Sequence, residues 1–269
     1  MACLGFAAWI LWFLGYPDQA LEKNREALTL ARELSHPASS AYALDWAAMF
    51  HQFRREGQVA QERAEAAITL STEQEVPFWL AFGTILQGWA LAGQGQGGKG
   101  VAQMHEGMTG WRATRAELAR PYFLALLADV YEKGGQAEEG LSALAEALET
   151  VEKNGERFYE AELHRLKGEL TLQSSVQRLE SSATNPQALI PNPQAEAEAC
   201  FLKAIEIARQ QQAKSLELRA TVSLARLWQQ REKTAEAQQM LAEIYGWFTE
   251  GFDTADLKEA KTLLEELSH

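Results

Sequence analysis

The 40-residue spacing of small residues is the feature that most constrains how this chain can fold. One series with this spacing is Ala8, Ala48, Gly88, Ala128 and Gly168. A second series with the same spacing is Ala20, Ala60, Gly100 and Gly140. A fixed period of this size is the signature of stacked repeats, in which each unit packs only on its neighbours. We therefore expect one elongated array of similar units.

The most regular unit spans 126–148 and reads as the end of one helix, a tight turn at Gly134-Gly135, and the start of a second helix. A small residue at a fixed helix position lets the partner helix approach closely, and larger residues four positions before and three after it fill the flanks. The position three residues after the small one holds Leu11, His51, Leu91, Tyr131, Thr171 and Trp228. This pattern predicts a helical hairpin in every repeat.

The period predicts a single repeat domain over 1–269 with six helix pairs and a capping helix. The pairs are expected at about 3–34, 38–74, 77–116, 119–153, 156–212 and 214–249, and the capping helix at 254–267. In the fifth pair the second series resumes at Ala197, which is 57 rather than 40 residues after Gly140. The 17 surplus residues therefore lie between the two helices of that pair. Residues 174–194 there are rich in Ser, Asn and Pro, which predicts an exposed loop insertion.

Composition and charge restrict the classes of partner. Apolar residues make up 46% of the chain and there are seven prolines, so a buried core is expected. The formal net charge of −12 repels phosphate backbones, which argues against nucleic acid as a partner. The two cysteines, Cys3 and Cys200, are far apart in sequence and suit a reducing, cytoplasmic setting better than a disulfide framework.

The apolar N-terminal stretch MACLGFAAWILWFLG could be mistaken for a signal peptide. It lacks a basic region before its apolar core and is too short to span a bilayer. Its Ala8 also falls on the 40-residue series, so we expect a buried first repeat helix and no membrane partner. Because this helix is apolar on nearly all sides, we expect a packing partner on its outer face, either an upstream repeat or a second copy of the chain.

No residue pattern predicts catalysis, a cofactor or a metal site. The stretch 93–99 comes close to a phosphate-binding loop, but such a loop follows a strand and has Ser or Thr after its lysine. Here a predicted helix precedes the stretch and Gly100 follows Lys99, so we interpret it as a turn between helices. The five histidines show no metal-ligand spacing, and no nucleophile motif is present. We therefore expect that this chain is not an enzyme.

Three segments carry a family resemblance: AELHRLKGEL (161–170), AEACFLKAIEIARQQQAKSLELRA (197–220) and YGWFTEGFDTADLKEAKTLLEEL (245–267). The first-helix pattern resembles the tetratricopeptide repeat (TPR), although the period is 40 rather than about 34 residues. The three segments resemble the C-terminal repeat region of bacterial proteins that join an adenylate/guanylate cyclase or transcription-regulator domain to an AAA-type ATPase. The resemblance implies a right-handed α-solenoid of about six TPR-like helix pairs plus a C-terminal capping helix, acting as a sensory or regulatory region.

In TPR arrays the first helices line a concave groove, and the small-residue series predicts which side chains face it. The predicted partner-binding residues are Tyr42, Asp45, Met49, Phe82, Trp89, Tyr122, Asp129, Glu162, Arg165, Glu169, Arg219 and Arg226. Such a groove is aromatic in its first half and charged in its second, and it would hold a protein or peptide segment from a sibling domain or signalling partner. Two alternatives stay open. In the first, the aromatic residues pack between neighbouring repeats, namely Trp9, Phe82 and Trp89. In the second, the chain self-associates through its N-terminal helix and the groove binds nothing.

Overall fold

The chain is all-α in the computed structural model, which describes residues 1–181 and 192–268. Within those residues there are thirteen helices in consecutive antiparallel pairs and no strand. The first six are α1 (Ala2–Phe13), α2 (Pro17–Leu34), α3 (Pro37–Phe53), α4 (Gly57–Glu73), α5 (Pro77–Gly93) and α6 (Gly97–Ala113). The others are α7 (Arg120–Lys133), α8 (Ala137–Asn154), α9 (Glu160–Ser181), α10 (Pro193–Gln210), α11 (Lys214–Gln230), α12 (Thr234–Tyr245) and α13 (Ala255–Glu266). The TPR-like, all-α fold class predicted from the sequence is thus confirmed.

The helices form two compact units, Met1–Leu118 and Ala119–His269. In the first unit α1, α3 and α5 each pack on the helix that follows, and α3 contacts both α1 and α5. In the second unit α7, α9 and α11 are paired in the same way, and α9 contacts both α7 and α11. Helix α13 closes this second unit by packing Leu257, Ala260 and Leu263 against α11 and α12.

Small residues permit the close helix approaches inside each unit. Every member of the two 40-residue series is buried, including the continuation of the second series at Ala197 and Ala237. One close approach of two backbones joins α5 to α6, where a Cβ added at Gly100 would lie 2.5 Å from the carbonyl oxygen of Gly88. Real Cβ atoms do not approach so closely, so the two backbones can adopt this distance only with glycine at both positions.

The turn inside each hairpin repeats with the same period as the small residues. Gly15, Arg55, Gly95 and Gly135 all have positive φ, with values of 90°, 61°, 85° and 70°. In each turn the next residue donates its N–H to a carbonyl five residues earlier, as Gln136 does to Tyr131 at 2.8 Å. This left-handed ending satisfies carbonyls that the helix end would otherwise leave unpaired, and it turns the chain into the second helix.

The fifth hairpin departs from this pattern because its first helix does not end where the others do. The next position in the turn series, Ser175, lies inside α9, which continues to Ser181. Residues 174–181 of the predicted loop insertion are therefore helical, and 182–191 lie outside the described residues. The added helix is held by the preceding hairpin, since Gln173 donates to the Glu132 carbonyl at 2.8 Å and Gln177 donates to the Gly135 carbonyl at 2.8 Å.

The N-terminal helix α1 is buried on one face only. Gly5, Ala8 and Trp12 are buried, whereas Phe6 and Ile10 are 49% and 57% exposed. The chain on its own thus leaves uncovered the outer face for which the sequence predicts a packing partner. Across the part of the chain that the structure describes, no helix is both long enough and apolar enough to cross a membrane.

The glycine-rich stretch 93–99 forms the turn between α5 and α6. Helix α5 ends at Gly93 and α6 begins at Gly97, with Gly95 in the left-handed region. A helix rather than a strand precedes the glycines, so the stretch lacks the strand–loop–helix geometry of a phosphate-binding loop.

The close approach of α5 and α6 can be tested with two alanine substitutions on the same helix. We expect Gly100→Ala to lower the free energy of unfolding by about 2 kcal/mol, because the added methyl group forces the two backbones apart. Gly98→Ala should change it by less than about 1 kcal/mol, because nothing lies within 4 Å of the added atom and alanine favours helix. Urea denaturation followed by circular dichroism measures both. Equal losses for the two variants would contradict this account.

Candidate functional site

Arg165 on α9 is the centre of a charged network in the second unit. Its Nη2 donates to Glu162 Oε1 at 2.8 Å, and its Nη1 lies 3.5 Å from Glu169 Oε1. The two glutamates stand three residues before and four after the arginine, so all three side chains share one helix face. The Ser223 hydroxyl on α11 donates to Glu169 Oε1 at 2.5 Å, which ties α11 to this face.

The network continues from α9 across α11 to α13. Arg219 Nη1 lies 3.9 Å from the same Glu162 oxygen, and Arg219 Nη2 is 2.9 Å from Asp256 Oδ2. A separate pair joins Arg226 Nη2 to Glu259 Oε1 at 2.8 Å. Because α9, α11 and α13 pack side by side in the second unit, these pairs form one line of alternating charge across the three helices.

Helix α7 adds acidic groups beside Arg165. Lys133 Nζ is 2.6 Å from Asp129 Oδ2, one helical turn away. The pKa of Glu132 is raised to about 7, chiefly by burial; the charges of Asp129 and Glu169 contribute to the rise, and those of Arg165 and Lys133 oppose it. The Glu132 carboxyl therefore titrates near neutral pH.

Arg165 and Arg219 both stay charged. Burial disfavours the charge of Arg165, but Glu162 and Glu169 outweigh this effect and hold the pKa of Arg165 well above its usual value. Arg219 behaves in the same way, with Asp256 and Glu162 raising its pKa against the effect of burial. Paired buried charges of this kind add little net stability, but losing one partner is costly, so they hold the geometry of the face in place.

The face has an excess of negative charge and can therefore bind cations. Its acids are Asp129, Glu132, Glu162, Glu169, Asp256 and Glu259, and its bases are Lys133, Arg165, Arg219 and Arg226. The side chains of Asp129, Glu169 and Arg226 are 20%, 27% and 53% exposed. A partner could reach these three, whereas Glu162 and Asp256 lie beneath them. We call the ten residues the charged face.

The structure divides the groove residues predicted in the second unit into two groups. Part of the side chain remains exposed in Asp129, Arg165, Glu169 and Arg226. Three others, Tyr122, Glu162 and Arg219, are buried. Tyr122 packs edge-to-face on Tyr159 with ring centroids 5.1 Å apart, so it contributes to the core rather than to a surface.

The groove residues predicted in the first unit lie mostly in its interior. Asp45, Met49, Phe82 and Trp89 are buried, and Tyr42 is half-buried. In this structure these four buried side chains offer no surface to a partner. The alternative interpretation, that Phe82 and Trp89 pack between repeats, agrees with their burial.

An aromatic row joins α1, α3 and α5 of the first unit. Trp9 stacks on Trp46 with centroids 3.8 Å apart, and Phe6 meets the same indole edge-on at 4.3 Å. Tyr42 also stacks on Trp46 at 5.1 Å and contacts Trp79 edge-to-face at 5.1 Å. Aromatic pairs in these arrangements add stability beyond the area that they bury. We call these five residues the aromatic row.

Asp45 is a buried carboxyl on α3 next to the aromatic row. Neither of its oxygens has a hydrogen-bond partner among the described residues. A Cβ added at Gly83 on α5 would lie 2.9 Å from Asp45 Oδ1, so the carboxyl reaches the α5 backbone. Burial raises the pKa of Asp45 well above its usual value.

Several residues of the two clusters escaped prediction from the sequence. Glu132 stands three residues after Asp129 on the same helix face, and this spacing could have identified it. Asp256 and Glu259 lie on α13, which has no member in either small-residue series. The series could therefore not assign the residues of this helix to a face. Trp46 could have been found only from the packing of α1 on α3.

The described residues, 1–181 and 192–268, contain no group of three or more His, Cys, Asp or Glu side chains that could hold a metal ion. The charged face consists of paired side chains on a helix surface.

The shifted pKa of Glu132 makes stability depend on pH. The pKa of Glu132 is about 7 in the folded state and 4.5 ordinarily. As pH rises, the unfolded chain therefore loses this proton before the folded chain does. The free energy of unfolding falls between pH 4.5 and pH 7 for that reason. We expect Glu132→Gln to stabilise the protein more at pH 8 than at pH 5, by about 2 kcal/mol. Thermal or urea unfolding at both pH values measures this difference, and Glu149→Gln on the exposed face of α8 is the control. Equal effects of Glu132→Gln at the two pH values would contradict the assignment.

Comparison with known proteins gives a fold but not a family. No protein-family model matches the chain, and no curated protein matches it. Among solved structures, the TPR2AB domain of yeast Sti1 in complex with pHSP90 is 14% identical, with 100% of this chain and 98% of that chain covered and a TM-score of 0.39. The human IFIT1 dimer with m7Gppp-AAAA is 15% identical, with 95% of this chain and 61% of that chain covered and a TM-score of 0.50. The chain thus spans less than two thirds of the IFIT1 chain, and this likeness places it among TPR-like helical-repeat folds.

Proposed function

We propose that this chain is a non-catalytic scaffold that binds a protein or peptide segment, and that the charged face of the second unit holds that segment. The observation that carries the proposal is the alignment of exposed charged side chains from successive helices at equivalent repeat positions. Asp129, Glu169 and Arg226 each directly follow the small residue of their helix, and each keeps part of its side chain exposed.

The excess of acidic groups on this face favours a segment with basic residues. Opposite charge on the partner accelerates encounter and selects against acidic competitors. The pairs around Arg165 already hold the face rigid, so little side-chain entropy would be lost on binding. A basic segment that also presents an Asp or Glu could pair with Arg226 at the edge of the face.

A nucleic-acid ligand fits this chain less well. The solved IFIT1 structure contains a capped oligonucleotide, m7Gppp-AAAA. The present chain has a net charge of −12, and its charged face has more acids than bases. Binding a phosphate backbone needs a basic surface, so we propose a protein partner.

We also propose that the chain serves as the sensory or regulatory repeat region of a cytoplasmic bacterial signalling protein of the cyclase or ATPase type. This finer proposal rests on the resemblance of 161–170, 197–220 and 245–267 to such regions. Reading the genomic DNA beside the coding sequence tests it. A cyclase, transcription-regulator or AAA-type ATPase frame fused or adjacent to this one would support it, and unrelated neighbours would contradict it.

Self-association through α1 is a second candidate function. It is favoured by the exposure of Phe6 and Ile10 on the outer face of that helix. Light scattering separates the two functions, since a monodisperse monomer at high concentration would exclude a self-associating module and leave the scaffold.

Removing two exposed charges tests the charged face. We expect Asp129→Asn/Glu169→Gln to weaken binding of a labelled lysine- and arginine-rich peptide by about tenfold at low salt, because each carboxylate loses one pairing with the peptide. Fluorescence anisotropy measures the affinity, and added salt should weaken binding by the wild type more than binding by the variant.

The matched control removes the same net charge from the other helix of a pair. Glu139→Gln/Glu149→Gln changes two exposed glutamates of α8 and should leave peptide affinity within about twofold of the wild type. The proposed site would be wrong if both double variants lost affinity equally, or if an acidic peptide bound as tightly as the basic one.

A further inference from the structure

Three partly exposed charges of the charged face stand at the same position in three successive repeats. Asp129 on α7, Glu169 on α9 and Arg226 on α11 each directly follow the small residue of their helix. Helix α9 packs on both α7 and α11. The hydroxyl of Ser223, three residues before Arg226, donates to Glu169 Oε1 at 2.5 Å, which brings these parts of α9 and α11 together. The three charges thus form a row in the order negative, negative, positive, which we call the charge row.

The packing of the helices sets the distance between these charges. Helices in contact have axes about 8–10 Å apart. Because the three residues occupy equivalent positions, neighbouring charges of the row are separated by about one such interval, and the outer two by about 16–20 Å. A partner meets all three charges only if its own charges recur on one side at the same interval.

Among the regular backbone conformations, polyproline II fits this interval best. It has three residues per turn and rises about 3.1 Å per residue, so residues i, i+3 and i+6 lie on one side at intervals of about 9.3 Å. On one side of a strand, residues two or four apart are separated by about 6.6 or 13 Å. In a helix, residues seven apart are separated by about 10.5 Å, and two such steps exceed the length of the row.

We propose that the charge row binds an extended polar segment of a partner protein in the polyproline II conformation, with two basic residues and one acidic residue at intervals of three. This inference rests on the proposed function of the charged face and specifies the partner's charge order. The basic residues pair with Asp129 and Glu169, and the acidic residue pairs with Arg226. Since the segment can run in either direction, its central charged residue is basic in both.

The outer charges of the row have partners within the chain, but these pairs lie at the surface. Asp129 pairs with Lys133, and Arg226 pairs with Glu259. Exposed pairs of this kind contribute little to stability, so an incoming charge shares or replaces the partner at low cost. Polyproline II is also a major conformer of unfolded chains, so a disordered charged segment loses little entropy when it binds in this form.

The order of charges is tested with two labelled peptides of identical composition and blocked ends. The matched probe has arginine at its first and fourth positions and glutamate at its seventh, with serine and alanine elsewhere. The second probe exchanges the glutamate with the central arginine, so in neither direction does it place a basic residue opposite Glu169. Fluorescence anisotropy against the full chain at low salt should show about tenfold weaker binding of the second probe.

The conformation of the segment is tested with two further peptides. Proline at the positions between the charges should raise the affinity of the matched probe about threefold, because it favours polyproline II before binding. An alanine-rich helical peptide with the same three charges seven residues apart should bind about fivefold more weakly than the matched probe, because its charges overshoot the row.

Reversing one charge of the row tests the contribution of Arg226. In the Arg226→Glu variant the row is negative throughout, so the affinity for an all-arginine version of the probe, relative to that for the matched probe, should rise about tenfold. The control Lys153→Glu makes the same change in net charge at the exposed end of α8 and should leave this ratio within about twofold of the wild type. Circular dichroism confirms that both variants are folded.

The outcomes separate the register from the proposed function. Equal affinity for the two probes of identical composition, with both weakened by Asp129→Asn/Glu169→Gln, would overturn the charge order and leave the scaffold. Failure of every basic peptide to bind would overturn both. Tighter binding of the helical peptide, or weaker binding after proline is introduced, would exclude polyproline II. An unchanged affinity ratio in Arg226→Glu would remove Arg226 from the site.

Discussion

Close backbone contact at small residues is the constraint on which the rest of this structure depends. Gly88 and Gly100 approach so closely that neither position can carry a Cβ atom, and every other member of the two series is buried at an equivalent place. Such contacts fix the rotation of each helix about its own axis, because only one face of a helix presents the small residue. Once the rotation is fixed, the remaining positions are assigned to core or surface. The left-handed turns at Arg55 and Gly135 then recur in phase with the small residues, and the fifth hairpin departs from this because α9 continues past Ser175.

The fold could be predicted from the sequence because the two features that indicate it, the small-residue series and the turns between helices, are local and periodic. The small-residue series also showed that the fifth hairpin departs from the period near Ser175. It could not show that helix α9 continues through that position. Ser174 and Ser175 at that point have weak helical preference. This part of α9 is held by partners about forty residues earlier, as when Gln173 donates to the Glu132 carbonyl and Gln177 to the Gly135 carbonyl. A contact of this range has no trace in local composition, so a segment that reads as loop can be helix.

Only part of the candidate site could be predicted, because the same periodicity gives limited information about which residues are exposed. Periodicity assigns a residue to a face of its helix, and it placed Arg165 and Glu169 correctly beside each other. It does not report how deep that face lies, because depth depends on the size of side chains on neighbouring helices. Glu169 stays partly open, whereas Met49 and Phe82 are buried. Burial of equivalent positions thus differs between the two units although their phase is the same.

The two units therefore have the same arrangement of helices but different side chains at equivalent positions, charged in the second unit and mostly aromatic or apolar in the first. On the charged face of the second unit the buried charges have partners, as Arg219 has Asp256, and these pairs offset part of the cost of burial. Such a face is rigid before any ligand arrives, and its selectivity lies in the surplus of acid that remains. In the first unit the rings pack well, but Asp45 and Trp46 keep unmatched polar atoms whose burial costs stability. Unmatched atoms remain in both units, because Glu162 Oε2 and Arg165 Nε on the charged face also lack hydrogen-bond partners among the described residues.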